Sequence, residues 1–141
     1  MRLILSYLKL LVLIVAFSFI VFADNCSSPS RILSQYSSIN FPQSGYLLYP
    51  LVKNGYPDAI AALTKLAIDR NSPYWLSLAG KHGSSGALYY SAMRSKNAKN
   101  IKAWLKSSAE LGHAQSQFEY ALLQTSKDEK RRWMRLSAEA G

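Results

Sequence analysis

The sequence predicts an all-α protein built as an α-solenoid, a stack of antiparallel helix–turn–helix repeats. Gly55, Gly83, Gly112 and Gly141 fall 28, 29 and 29 residues apart. All three tryptophans of the chain, Trp75, Trp104 and Trp133, stand eight residues before one of these glycines, each followed by an apolar residue (Leu76, Leu105, Met134). Small residues recur nine positions after the turn glycine, at Thr64, Ala92 and Ala121, as expected where two helices approach closely. Self-similarity at such a period marks units that bury their apolar faces on one another.

The chain has 141 residues, room for one small domain. Residues 1–23 lie before it. Arg2 and Lys9 precede or open an almost wholly apolar run, Leu10 to Phe22, and Val21-Phe22-Ala23 offers the residues a signal peptidase reads. This is the layout of a secretory signal peptide, so the protein is expected to be exported, either periplasmic or secreted. The alternative is an uncleaved anchor spanning a thin bilayer. Ala23-Asp24-Asn25 ahead of Cys26 does not fit a lipobox. Cys26 is the only cysteine, so no internal disulfide is available. Asn25-Cys26-Ser27 fits a glycosylation sequon, which matters only in a eukaryotic secretory pathway. Removing residues 1–23 takes the net charge from +9 to +7, so the basic character belongs to the rest of the chain.

Residues 24–45 are rich in Ser, Asn and Pro, with a short capping helix expected from Ser30 to Tyr36; the repeats occupy residues 46–141. The first unit is degenerate: Leu47 stands in the Trp position, and Pro50 implies that its helix begins there or kinks. Its second helix, Pro57 to Ile68, carries the stripe Ile60, Leu63 and Ala67. In the second unit Ser72 is the expected N-cap and Pro73 the first helical residue. Trp75, Leu76, Leu78 and Ala79 follow, Gly83 turns the chain, and Leu88, Tyr89, Ala92 and Met93 line the returning helix. The third unit is clearest: Ile101, Trp104, Leu105, Ala109 and Ser108 share one stripe, Lys106 and Glu110 can pair at four residues' spacing, and Gly112 ends the helix in the left-handed conformation. A second helix begins at His113, with Phe118, Ala121 and Leu122 apolar. In the last unit Ser126 and Glu129 read as a capping box, and Trp133, Leu136 and Ala140 form a stripe that no later helix covers. That implies a truncated chain, or a stripe covered by a partner or by self-association. The tryptophans recur with the repeat and are therefore expected in the core, so Trp104→Ala is expected to unfold the domain.

The segment from Ala103-Trp104-Leu105 through Ala109-Glu110-Leu111-Gly112-His113-Ala114-Gln115 to Gln117-Phe118 and Tyr120-Ala121 resembles the Sel-one-like repeat, a relative of the tetratricopeptide repeat. The likeness extends over about residues 45–141 on shorter stretches around Gly83 and Gly141. Units of that family are usually longer, and the Gly-rich loops expected after Met93 and Leu123 are missing, so this chain is a compact, divergent version. The resemblance implies a right-handed superhelix and a role as a protein-binding scaffold or adaptor, with envelope complexes and secretion-associated immunity proteins among exported examples. The cysteine-rich branch of the family needs Cys pairs in each unit, which a single cysteine excludes.

No catalytic constellation is legible. His82 precedes its turn glycine whereas His113 follows its own, and neither has a partner at a metal-ligand spacing. Gly83-Ser84-Ser85-Gly86 is one residue short of a nucleophile elbow, and phosphate-loop and dinucleotide fingerprints are absent. The chain therefore reads as non-enzymatic, with no cofactor and no metal. Arg94, Lys96, Lys99, Lys102 and Lys106 run from one helix end into the next helix, and Lys127, Lys130, Arg131, Arg132 and Arg135 occupy the same part of the next unit. Stacking is expected to join them as a basic ridge, which is either a solvated face or a partner site. Nucleic acid does not suit an exported chain. The expected partner is another protein, met by Tyr89, Tyr90 and Tyr120 among the aromatics and Lys102, Lys106, Arg131 and Arg135 among the cations. The alternative is a membrane-tethered structural component of the cell envelope.

Overall fold

The structure, a computed structural model, describes residues 29–41 and 43–141, with only the backbone of Ser38. The expectations for the signal peptide, Cys26 and the sequon lie outside the described residues. Those residues form eight α-helices and one 3-10 turn, with no strand among them. The helices are α1 (Pro29–Gln35), α2 (Gln43–Lys53), α3 (Pro57–Asp69), α4 (Pro73–Lys81), α5 (Ser85–Arg94), α6 (Ala98–Glu110), α7 (Ala114–Leu122) and α8 (Lys127–Ala140); the 3-10 turn, Tyr36–Ser38, follows α1. Each helix packs on the next in sequence, and α3 also touches α1 and α5.

The turns are where the repeat is most exact in atomic terms. At Gly112 the backbone takes φ +84°, so the chain leaves α6 in a conformation that a Cβ disfavours. The Gly112 amide donates to the Ala109 carbonyl and the His113 amide to the Ser108 carbonyl, which satisfies two groups at the helix end. Gly55 and Gly83 repeat this bonding pattern at positive φ. The turn from α3 to α4 has it as well, with Asn71 at φ +51° in the glycine's place. Asparagine tolerates the left-handed region better than most residues, so the pattern extends beyond the glycines.

A second repeated contact ties unit to unit. The Ser108 hydroxyl on α6 donates to the Ser85 carbonyl at the start of α5, 2.8 Å away. The Ser137 hydroxyl on α8 donates to the Ala114 carbonyl at the start of α7, 2.9 Å away. Both serines stand four residues before a repeat glycine, and both acceptors are 29 residues apart like the donors.

The core divides at α5. One cluster joins Leu48, Leu51 and Val52 of α2, Ala59, Leu63 and Ala67 of α3, Trp75, Leu76 and Ala79 of α4, and Ala87 of α5. The other joins Ala92 of α5, Leu105 and Ala109 of α6, Tyr120 and Ala121 of α7, and Trp133 of α8. Ala92 and Ala121 are buried, as their recurrence predicts, while Thr64 is half-buried and its hydroxyl meets that of Ser84 at 2.7 Å. On the first cluster α1 adds Ile32 and Leu33; this short helix spans Pro29–Gln35, one residue earlier at each end than the expected Ser30 to Tyr36.

Three expectations need correction. Helix α2 starts at Gln43 and runs through Pro50, so it neither begins at the proline nor respects a boundary at residue 46. Tyr46, whose carbonyl loses its partner to the proline ring, is exposed, and water can serve that carbonyl. Ser72 occupies the N-cap position of α4 but makes no side-chain capping bond. The tryptophans are not alike: Trp75 is 2 % exposed and Trp133 8 % exposed, whereas Trp104 is only half-buried.

Candidate functional site

The half-burial of Trp104 has a residue-level cause. Around Trp75 the preceding unit supplies Gly45, where an added Cβ would lie 2.5 Å from indole Cε2, together with the rings of Tyr46 and Tyr49 at 4.9 and 6.5 Å between centroids. The counterparts of these three, 28 residues on, are Pro73, Tyr74 and Ser77, of which Pro73 and Ser77 line the space beside Trp104. Ser77 has no ring to match Tyr49, and Tyr74 turns edge-on to its own neighbour Trp75 at 4.9 Å. Beside Trp104 lies a cavity of about 360 Å³ among α4, α5 and α6, lined by Pro73, Leu76, Ser77, Ser91, Arg94, Ser95 and Trp104. A second cavity, of about 390 Å³, lies near α1 and α3, where Lys65 and Arg70 stand with Asp69.

The walls of the first cavity combine an apolar base, three hydroxyls and one guanidinium. Arg94 is held at its edge by Tyr90, donating from Nη1 to the phenol oxygen at 3.2 Å with the guanidinium 5.4 Å from the ring centroid. All seven lining residues fall within residues 70–109. That stretch carries Arg70, Lys81, Arg94, Lys96, Lys99, Lys102 and Lys106 and no Asp or Glu. No carboxylate of the walls offsets the positive field there.

The expected contact residues fare differently. Tyr120 is buried, its ring edge-on to Trp133 at 5.3 Å, so it is a core residue and not a surface one. Tyr89 is half-buried with its ring 4.8 Å from His113, and Tyr90 is engaged with Arg94. Lys102, Lys106, Arg131 and Arg135 are all exposed. They fall at equivalent positions of α6 and α8, two helices that both pack on α7. Lys106 pairs with Glu110 at 3.7 Å and Arg131 with Asp128 at 3.9 Å; such exposed pairs contribute little to stability. The cavity residues Ser77, Ser91 and Ser95 were not among the expected candidates, although aligning Tyr49 with Ser77 would have located the gap.

His113 belongs to a buried polar chain. It is the N-cap of α7, its Nδ1 accepting from the Ser116 amide at 3.2 Å, with the Ser116 hydroxyl 2.9 Å away. The Ser116 hydroxyl also meets Ser108 Oγ at 2.6 Å. Because Ser108 spends its proton on the Ser85 carbonyl, its oxygen can only accept from Ser116, whose single hydroxyl proton has Ser108 Oγ and His113 Nδ1 as its two acceptors. Ser108 and Ser116 are fully buried, so neither hydroxyl is open to a substrate. An Nδ1 that accepts an amide proton is unprotonated, and desolvation lowers the His113 pKa from its ordinary value of 6.5. The folded state therefore binds this proton more weakly than the unfolded chain, and stability present above pH 6.5 falls as the pH drops from there through the folded pKa. Thermal melts at pH 7.5 and 5 are expected to show this loss. His113→Asn, which keeps a capping side chain without the titration, is expected to reduce it.

Among the described residues, no three His, Cys, Asp or Glu side chains are placed to hold a metal ion, and no helix is long and apolar enough to cross a membrane. Compared with protein-family models, curated proteins and solved structures, the chain matches none.

Proposed function

We propose that this chain is an exported, non-enzymatic repeat protein that binds another protein, with its helical units stacked as a right-handed solenoid of the Sel-one-like kind. The observation that carries the reading is the unit geometry: the same turn bonding at Gly55, Gly83 and Gly112, and the same serine-to-carbonyl bond at Ser108 and Ser137. Units joined by such equivalent contacts present side chains at a regular spacing along a surface, which is how repeat proteins bind extended partners. The exposed cations Lys102, Lys106, Arg131 and Arg135, at equivalent positions, support a partner surface of acidic character.

Affinity capture of the tagged protein after brief cross-linking tests the reading, with one dominant co-purifying protein expected. With that partner purified, Lys102→Glu and Lys106→Glu together are expected to weaken binding roughly tenfold and to flatten its salt dependence. Unchanged affinity would remove the basic face from the interface. N-terminal sequencing of the recovered protein, expected to begin at Asp24, separates an exported protein from an envelope-tethered one.

A further inference from the structure

We propose that the cavity beside Trp104 is the specificity site of the protein-binding surface, and that it takes one apolar side chain of an acidic peptide segment whose carboxylates meet Arg94 and the cations beyond it. The inference rests on the protein-binding reading and names the partner's chemistry.

Shape and charge converge on this occupant. The cavity, about 360 Å³, lies at the small end of the range for ligand sites and suits one large side chain with its flanking backbone. Trp104, Leu76 and Pro73 provide apolar contact for that side chain, the Ser77 hydroxyl provides a donor for a peptide backbone, and the Ser91 and Ser95 hydroxyls, which donate to the Ala87 and Asn97 carbonyls, offer oxygens that accept from it. Arg94 has five N–H donors, of which the contact with Tyr90 uses one, so the guanidinium is pre-positioned with donors left for a carboxylate. Beyond it Lys96 stands exposed in the connection into α6, and Lys99 and Lys102 follow on a face of that helix turned about 140° and 160° from Trp104, where only a segment running out of the cavity and across α6 would reach them. Cations spread over that path exceed what a single small carboxylate engages, and favour a chain that carries several. The absence of Asp and Glu from residues 70–109 leaves no competing carboxylate on the walls. A partner side chain would fill the place that the Tyr49 ring fills one unit earlier.

The probes are a labelled peptide Asp-Glu-Phe-Asp-Glu, its Phe→Ala version, an oligothymidylate and vesicles of phosphatidylglycerol, each titrated into the purified protein. The Phe peptide is expected to bind and to shift the tryptophan emission, because Trp104 is the one tryptophan of the three that is not buried. The Ala peptide is expected to bind roughly tenfold more weakly, the scale set by burying one apolar side chain. Ser77→Tyr, which restores the ring present at Tyr49, is expected to close the cavity and weaken the Phe peptide by a similar factor while the melting temperature holds or rises. Arg94→Glu, at an exposed position, is expected to weaken it without unfolding the protein. No binding of the Phe peptide, equal binding of the two peptides, or binding unaffected by both variants would overturn the proposal. Binding of the oligothymidylate or the vesicles that Ser77→Tyr leaves unchanged, with no peptide preference, would show a general polyanion surface instead. If the captured partner binds Ser77→Tyr as well as it binds the parent, the cavity proposal fails and the adaptor reading stands; if no partner is captured, the adaptor reading itself fails.

Discussion

Replacing Trp75 by alanine is expected to destabilise the protein by about 3–5 kcal/mol, enough to unfold a domain of this size at ambient temperature. The indole is 2 % exposed and packs on a glycine of the preceding unit. The rings of Tyr46 and Tyr49 lie 4.9 and 6.5 Å from it between centroids, and Leu48, Leu51 and Val52 lie in the same cluster. The glycine permits the separation: an added Cβ at residue 45 would lie only 2.5 Å from Cε2, so the indole packs on bare backbone there, and that position has no side chain to fill a hole left by its removal. Trp104→Ala removes the same atoms from a site that already opens onto a cavity, so its loss is expected to be smaller, about 1–2 kcal/mol, because part of the ring is in water before the change. Urea melts of the two variants under the same conditions decide the matter. Equal losses would mean that Trp104 is as fully packed as Trp75 and that the cavity beside it is closed in solution.

That inequality shows how far the sequence could be read. Period and residue type place Trp75, Trp104 and Trp133 at one position, and the turn glycines at another, because backbone conformation depends on a few local residues. Gly55, Gly83 and Gly112 do take positive φ. Burial depends on what the neighbouring unit supplies, and here the repeats diverge: Tyr49 becomes Ser77, and Gly45 becomes Pro73. Reading each unit alone therefore assigns one environment to three tryptophans that have different ones. Tyr120 is the converse case. Nothing in the spacing of α7 sets it apart from Phe118, yet Tyr120 meets Trp133 of α8 while Phe118 stays exposed. Asn71 was missed for a related reason: left-handed turns are sought at glycine, and an asparagine there carries no periodic signal. The basic candidates were legible as exposed positions because charge seldom goes inside unpaired.

The second large effect is expected at Ser108, a residue that period alone would class as an apolar-stripe position occupied by a small side chain. Its hydroxyl is fully buried and joins three helices, donating to the Ser85 carbonyl of α5 and meeting Ser116 of α7. In Ser108→Ala the side chain still fits, but the Ser85 carbonyl loses its side-chain donor and the Ser116 hydroxyl keeps only His113 Nδ1, 2.9 Å away, as an acceptor. Loss of a buried side-chain donor typically costs about 1–3 kcal/mol, and that is the expected loss. Ser116→Ala removes the other side of the contact, and the double variant is expected to be less destabilised than the sum of the two, since both single variants break the same Ser108–Ser116 bond. Ser137→Ala, at the equivalent position of α8, breaks the equivalent bond to Ala114 from a half-buried site, where water can replace the lost donor. Its loss is expected to stay below about 1 kcal/mol. Denaturant melts of the four variants read the ranking directly. A Ser137→Ala loss equal to that of Ser108→Ala would place the energy in the repeated serine-to-carbonyl bond, and a smaller one places it in the buried chain from Ser108 through Ser116 to the His113 cap, which only the third unit has.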